Sequence, residues 1–375
     1  MNRPTDRCPD VFATHEAADG RLARLRLPGG RIEPAQLDAL AAAAEELGDG
    51  HLEFTSRANV QVRGIGHEAV PEFADRMVTA GLARDRTHDR VRNVVVSPLT
   101  GRIGGTAALW DVADRLHSEL TGTDWAGRLS GRFWFGLDDG RGDVLSRTPD
   151  VVGVWTGDDA AELVVGGHRT GRVVPLDAVP AALLDVARRF LAQRRDEWRI
   201  ADLPAGAQER LRDGLSAVGA SGSAPGAAEP ATGPRVGWFA QDDGRVLLGT
   251  VTPFGRLSAR QAQFAAAIGS PLIVTPDREL LITDLTEGAA ETVVRVLAPM
   301  GFVFDATSPW TRVSACTGSP GCAKSRADVR RLLVEHVEAG AEFDGHEHWV
   351  GCERSCGAGP DNVVRIAPLP DDQSR

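Results

Sequence analysis

Hydrophobic periodicity along this chain runs through the same order of elements twice. Asp19-Gly-Arg21 leads to Pro28-Gly-Gly-Arg31-Ile32, and much later Asp243-Gly-Arg245 leads to Pro253-Phe-Gly-Arg256-Leu257. An alanine-rich helical pattern follows each, at 34–47 and 258–268. Next comes a β-branched or apolar strand ending in threonine, at 52–55 and 272–275. A second short strand (60–62 and 280–282) and a second helix (69–80 and 289–297) complete each half. Thr55 and Arg92 are 37 residues apart, as are Thr275 and Arg312. Shared order and shared spacing indicate an internal duplication. The alternation predicts an α+β fold in which helices cover one face of each sheet.

A larger segment follows each repeat. The first should hold helices at 107–120 and 179–195 and strands at 133–137, 151–155 and 162–165. Residues 217–234 are small, Pro/Gly-rich and aperiodic, which predicts a flexible connector. The expected division is 1–85, 86–216, the connector 217–234, 235–300 and 301–375. A length of 375 residues is ample for two or three domains, each with its own core. No apolar run approaches the roughly 20 residues a membrane span requires. The net charge of −10 argues against nucleic acid as a partner but leaves room for a local basic cleft.

The halves differ where chemistry is concerned. The first has Thr55-Ser-Arg57-Ala-Asn59-Val-Gln61-Val-Arg63, whereas its counterpart, Thr275-Pro-Asp277-Arg-Glu-Leu-Leu281-Ile-Thr283, has lost those polar and cationic groups. Asn59 and Gln61 alternate with Val60 and Val62, so they share a strand face with Arg57 and Arg63. Buried without partners, such side chains would cost about 1–3 kcal/mol each, so a face turned to a ligand is expected. Conversely, only the second half carries cysteines in the loop after its arginine. Cys316-x5-Cys322 and Cys352-x3-Cys356 sit in Gly/Ser/Pro-rich turns, a pattern expected of a four-cysteine [4Fe–4S] cluster. Structural zinc takes closer pairs. Disulfides need an oxidising compartment, and MNRPTDRCPDVF lacks the apolar core of a secretory signal, so a cytoplasmic protein is expected. Unliganded buried cysteines are the third alternative, and Cys8 receives no role. One half is thus expected to hold an anion and the other a metal cluster.

The duplicated halves, the Thr-x-Arg-x-Asn-x-Gln strand, the Arg92-Asn93 pair and the cysteine pattern resemble the sirohaem- and [4Fe–4S]-dependent sulfite and nitrite reductases. That resemblance implies two ferredoxin-like half-domains and two larger α+β segments related by a pseudo-twofold axis. It also implies pocket arginines at Arg57 and Arg92 and cluster ligands at Cys316, Cys322, Cys352 and Cys356. Those reductases clamp their small oxyanion with two lysines one residue apart on a strand. The matching stretch here offers Arg132 and Trp134. Arg132 keeps the charge but is no proton donor at working pH. Cys8-Pro-Asp10, Arg24-Leu-Arg26-Leu-Pro28-Gly-Gly30, the strings 55–64 and 91–101, and Asp138-Asp139-Gly140 are similar to a shorter cousin, the precorrin-3B synthases of aerobic cobalamin biosynthesis. This second resemblance implies an O2-dependent monooxygenase acting on precorrin-3A, an anionic tetrapyrrole, with γ-lactone formation. It further implies a [4Fe–4S] cluster and leaves a separate non-haem iron open.

The substrate-binding set is then Arg57, Asn59, Gln61, Arg63, Arg92, Asn93 and Arg132, with Arg102 and Arg128 as weaker members. Arginine suits carboxylates because two N–H groups meet both oxygens. No catalytic acid or base is assigned. Asp138-Asp139-Gly140 reads as a turn, Trp134 as core or a stacking platform, and His336, His346 and His348 as a solvated polar loop, with His346-x-His348 as iron ligands the alternative. No Gly-rich dinucleotide fingerprint follows a strand, so NADH would act indirectly, through a reductase or ferredoxin. A sirohaem reductase, with sirohaem as cofactor, and a non-catalytic tetrapyrrole or cluster carrier are the alternatives.

Overall fold

The computed structural model describes residue 6 and residues 8–104, 107–213, 234–343, 345–359 and 362–367; the expected connector lies outside them except for Pro234. Two five-stranded sheets carry the repeat. The first runs His15–Ala17, Gly20–Leu25, Val60–Ile65, His51–Phe54 and then Arg256–Ser258, a strand supplied by the second half. The second runs Gly237–Ala240, Val246–Thr250, Leu280–Leu285, Leu272–Val274 and then Arg31–Ile32, supplied by the first half. Leu257 pairs antiparallel with Leu52, and Ile32 with Leu272. Each lent strand directly follows a tight Pro-x-Gly turn, Pro28–Gly30 or Pro253–Gly255.

This exchange corrects the expectation of separate cores in the two halves. Leu25, Leu52, Val60 and Val62 belong to one apolar cluster with Leu248, Leu257, Leu272 and Ile282. These side chains are at most 1% exposed, and each buried one contributes about 1.5–3 kcal/mol. The helix Pro34–Leu47 starts with proline in its first turn and a reciprocal Glu33–Gln36 capping box, and Ala259–Ala266 starts with the equivalent Ser258–Gln261 box. These two helices pack together, and each buries small residues, Ala41 and Ala44 on one and Ala262 and Ala265 on the other.

The segment after the first repeat forms a sheet in the order His168–Pro175, Ala160–Val165, Val151–Gly157, Phe135–Asp138, Val94–Val96. Its last three strands run parallel, and the helices Trp110–Thr121 and Val179–Gln193 pack on one face. The strand His168–Pro175, polar and mostly exposed, has too little apolar periodicity to be foreseen. The segment after the second repeat is smaller. Val313–Ala315, Glu347–Val350 and Val363–Ile366 pair in parallel beside the helix Val329–Glu338. Among the described residues, no helix is long and apolar enough to cross a membrane.

Candidate functional site

Val60 and Val62 point into the shared core at 0% exposure, which turns Gln61 and Arg63 to the opposite face of their strand. That face is one wall of a cavity of about 460 Å³. The preceding turn is held by Thr55, whose Oγ1 accepts from the backbone N–H groups of Arg57 (3.4 Å) and Asn59 (3.1 Å). Arg57 leaves this turn, donates to the Arg132 carbonyl at 3.2 Å and lies 4.8 Å over the Trp134 ring. On the neighbouring strand Arg24 pairs with Gln61 in register and donates to its Oε1 at 3.1 Å. Arg26 follows at 1% exposure, with Nε and Nη1 lacking any partner. Among the described residues, seven arginines line the cavity against a single carboxylate, Glu53.

Burial, then the repulsion of Arg24, pushes Arg26 down to about 9. Burial, then Arg199, pushes Arg57 down to about 10. Both remain charged at neutral pH. Burial also works against the charge of Glu53, but Arg330 and Gln61 outweigh it and hold the carboxyl below its ordinary value. A cavity with crowded, partly unpartnered guanidinium groups is poised to take several anionic groups, since a buried cation without a partner is costly.

Cys316 and Cys356 line the same cavity. Cys316 directly follows the strand Val313–Ala315, and its N–H donates to the Trp349 carbonyl at 2.9 Å. Cys352 stands two residues past the strand Glu347–Val350. Gly321 and Gly351 permit close approach here. A Cβ at 321 would stand 2.8 Å from an Asp19 carboxylate oxygen, and one at 351 would stand 1.7 Å from Ser325 Oγ. Burial, followed by Cys352, Cys316 and Cys322, raises the Cys356 thiol, which sets the other three cysteines near it. Among the described residues, the one set of three or more metal-ligating atoms within 4.8 Å of one another is Asp138, Asp139 and Asp143. The cysteine sulfurs are therefore spread more widely than a single tetrahedral ion at Zn–S of about 2.3 Å requires, and a multi-iron cluster suits them better.

The structure brings Arg57, Asn59, Gln61, Arg63, Asn93 and Arg132 to this cavity together with two of the four cysteines. It does not bring Arg92, which corrects that expectation. Arg92 is 3% exposed, and its Nη2 is occupied by the Leu82 carbonyl (2.6 Å) and Asp89 (2.7 Å). Its neighbour Asn93 donates to the carbonyls of Gly131 (3.0 Å) and Phe133 (3.3 Å), tying the two walls together. Arg102 forks onto Asp284 at 2.9 Å, outside the cavity, and Arg128 is exposed. Trp134 is core, at 4% exposure against Val95, Val144 and Val152. Asp138 accepts four backbone N–H groups, from Gly140, Gly142, Val144 and Leu145, which bears out the turn. His348 is not in a solvated loop. It lies at 0% exposure on a strand, with Nδ1 2.8 Å from Ser314 Oγ and Nε2 3.0 Å from the Cys356 carbonyl oxygen.

Sequence reasoning missed Arg24, Arg26, Arg278, Arg330 and Cys8, all on the cavity wall. The alternation Arg24-Leu25-Arg26, with Leu25 fully buried, was the available signal for the first two.

Residues 15–80 match the nitrite/sulfite reductase ferredoxin-like half domain. The chain is 28% identical to a ferredoxin–nitrite reductase of Synechococcus elongatus, covering 90% of this chain and 74% of the relative. It is 26% identical to a precorrin-3B synthase of a Sinorhizobium species, covering 93% and 77%. A ferredoxin-dependent sulfite reductase of Mycobacterium tuberculosis is 28% identical, covering 89% and 67%. Among solved structures, the Mycobacterium tuberculosis NirA protein superposes with a TM-score of 0.73 over 90% of this chain and 69% of that one, at 22% identity. Residues 15–80 thus resemble a nitrite/sulfite reductase ferredoxin-like half domain, and the chain shares its fold with the NirA protein.

Proposed function

We propose that this chain is a precorrin-3B synthase, an O2-dependent monooxygenase that hydroxylates precorrin-3A with γ-lactone formation. The observation that carries this reading is the character of the cavity. Among the described residues it is lined by seven arginines and no lysine, and the chain's one lysine, Lys324, lies elsewhere. Arginine binds the carboxylate arms of a tetrapyrrole through paired N–H groups but does not release protons at neutral pH. A multi-electron reduction of sulfite or nitrite consumes many protons, whereas monooxygenation consumes only two. One oxygen atom enters the ring, the other leaves as water, and two electrons and two protons come from the donor. A precorrin-3B synthase stands among the relatives beside the nitrite and sulfite reductases, so the choice rests on the cavity.

Arg24, Arg26, Arg57 and Arg132 would hold the arms, with Asn59 and Asn93 fixing the wall behind them. Cys316, Cys322, Cys352 and Cys356 would hold a [4Fe–4S] cluster, which supplies one-electron transfer when bound. Exposed Cys356 marks the side on which a reductase or ferredoxin, carrying electrons from NADH, would dock. No residue set is assigned to a separate non-haem iron, since Asp138, Asp139 and Asp143 are engaged with backbone N–H groups, Arg141, Ser97 and Arg235.

Incubating the protein with precorrin-3A, reductant and O2 and weighing the product tests the reading. A gain of one oxygen atom supports it; unchanged mass with an intact cluster sinks it and leaves a carrier. Copurified sirohaem with turnover of sulfite or nitrite would instead make the chain a reductase.

A further inference from the structure

The two halves build the same pair of adjoining turns and fill them differently. In the first half the Pro28–Gly30 turn abuts the Thr55–Asn59 turn, and a Cβ on Gly30 would lie 3.2 Å from that of Ala58. In the second half Pro253–Gly255 abuts Thr275–Glu279 in the same way, with Arg278 Cβ 2.6 Å from a Cβ placed on Gly255. Both turns need a left-handed residue. The first half uses small ones, Gly29 at φ 68° and Ala58 at φ 54°. The second uses Phe254 at φ 65° and Arg278 at φ 63°. A bulky aromatic residue at positive φ is an outlier, and such strain persists where the side chain is needed.

The need is visible in what these two side chains separate. A second cavity of about 610 Å³ lies beyond them, bordered by Arg147, Arg235, Asp277, Trp310 and His346. Phe254 and Arg278 border both cavities. The Phe254 ring meets Trp310 of the second cavity edge-on at 5.4 Å, and Arg330 of the first stands 5.8 Å from its centre. Arg278 completes the wall by donating at 2.7 Å to the carbonyl of Gly357, the residue after Cys356. The second cavity does not repeat the cationic character of the first. Asp277 and Glu279 stand where the first half has Arg57 and Asn59, and Asp277 is engaged by Arg147 and Arg235.

We propose that Phe254 and Arg278 are a partition that seals the cationic cavity, lined by Cys316 and Cys356, against the second cavity. Small oxidants entering the second cavity are thereby denied that one route to the cluster edge, leaving the approaches by the cationic cavity and by exposed Cys356. The proposal rests on the four-cysteine cluster alone and not on which macrocycle fills the cationic cavity. Excluding solvent species from a reducing centre is a recognised way to suppress side reactions.

Phe254→Gly tests it, because the first half shows that glycine fits this turn. The variant relieves the positive φ but gives up the ring's packing against Val313, Leu333 and Phe343, and its visible absorption near 400 nm should bleach about fivefold faster under ferricyanide or air. Arg278→Ala, the residue of the first-half turn, should also accelerate bleaching. Phe254→Leu, which keeps an apolar plug, should bleach at nearly the wild-type rate. Bleaching unchanged in Phe254→Gly overturns the partition, as does equal acceleration in the glycine and leucine variants with a common fall in unfolding temperature. Wild-type protein without acid-labile sulfide would instead overturn the cluster reading, a separate failure.

Discussion

Arg63 holds the carbonyl of Gly321, 258 positions further along the chain, with an Nη2–H donated at 2.8 Å. The same guanidinium forks onto both carboxylate oxygens of Asp19 at 2.8 and 2.9 Å. Gly321 immediately precedes Cys322, so a strand of the first half braces a cysteine loop of the second. Arg63 lines the cavity, but these bonds make it a brace more than a free anion receptor.

Arg63→Ala should therefore lower iron content and destabilise the protein by about 2–3 kcal/mol, because it leaves Asp19 and the Gly321 carbonyl without their partner. Arg63→Lys should restore only part of this, since an ammonium keeps the charge and loses the fork. Iron analysis and urea unfolding of the purified variants check it. Normal iron with weakened macrocycle binding would return Arg63 to the receptor set.

Arg26 should behave in the opposite way. Its buried Nε and Nη1 have no partner, so the free protein bears the cost of an isolated cation. Arg26→Met should raise stability by about 1–3 kcal/mol and weaken binding of a polycarboxylate porphyrin at least about tenfold. Arg57→Ala should weaken that binding by about 1.5–3 kcal/mol with iron intact, while Asp277→Ala should leave it unchanged. Porphyrin fluorescence titration and thermal unfolding read both quantities. A destabilised Arg26→Met would mean the cation is satisfied in the free protein.

How much of this was legible in the sequence depended on whether a signal was local. The helix Pro34–Leu47 matches its expected span to the residue, because proline and the Glu33–Gln36 box mark its start. The alternation of Val60 and Val62 with Gln61 and Arg63 correctly separated core from cavity. The exchanged strands Arg31–Ile32 and Arg256–Ser258 are two and three residues long, too short for any periodicity to register. Nor does local pattern encode an arginine's target. Arg92 turns onto Asp89, three residues away, while Arg26, beside an unremarkable leucine strand, turns to the cavity. His348 looked solvated because its neighbours are polar; the Ser314 strand that buries it lies 34 positions earlier.

Acid sensitivity should trace in part to His117. Burial, reinforced by Arg92 and Arg84, pushes this imidazole down to about 4, and its Nε2 has no partner. Unfolded histidine protonates near 6.5, so between about 6.5 and 4 the unfolded chain binds the extra proton. Stability contributed by the neutral ring is therefore lost as pH falls through that window, by a total on the order of 3 kcal/mol. Buried Asp150, whose carboxyl is raised by desolvation, works in the opposite sense, so the comparison is made against His117→Leu. The stability difference between wild type and variant, from urea unfolding at pH 7.5 and pH 5, should shift in the variant's favour at pH 5. A difference independent of pH would show that His117 titrates normally.

Cys8 provides the most direct probe of the cavity wall. Asp6 accepts from the Cys8 N–H (3.0 Å), Ser130 Oγ (2.7 Å) and the Gly131 N–H (2.7 Å), which staples the N-terminal segment beside Arg132. Burial, then the charge of Asp6, raises the Cys8 thiol above its ordinary range, so it stays protonated at neutral pH. With the other four cysteines on iron, iodoacetamide should add once per chain, slowly at pH 7 and faster as pH rises, because the thiolate is the nucleophile. Asp6→Asn should speed the reaction by removing that charge. A polycarboxylate porphyrin should slow it at least about fivefold if it occupies the arginine wall, since ligand then covers the thiol. Labelling at Cys8 that ignores saturating porphyrin would place the macrocycle elsewhere, and the arginine-lined cavity would then need another occupant.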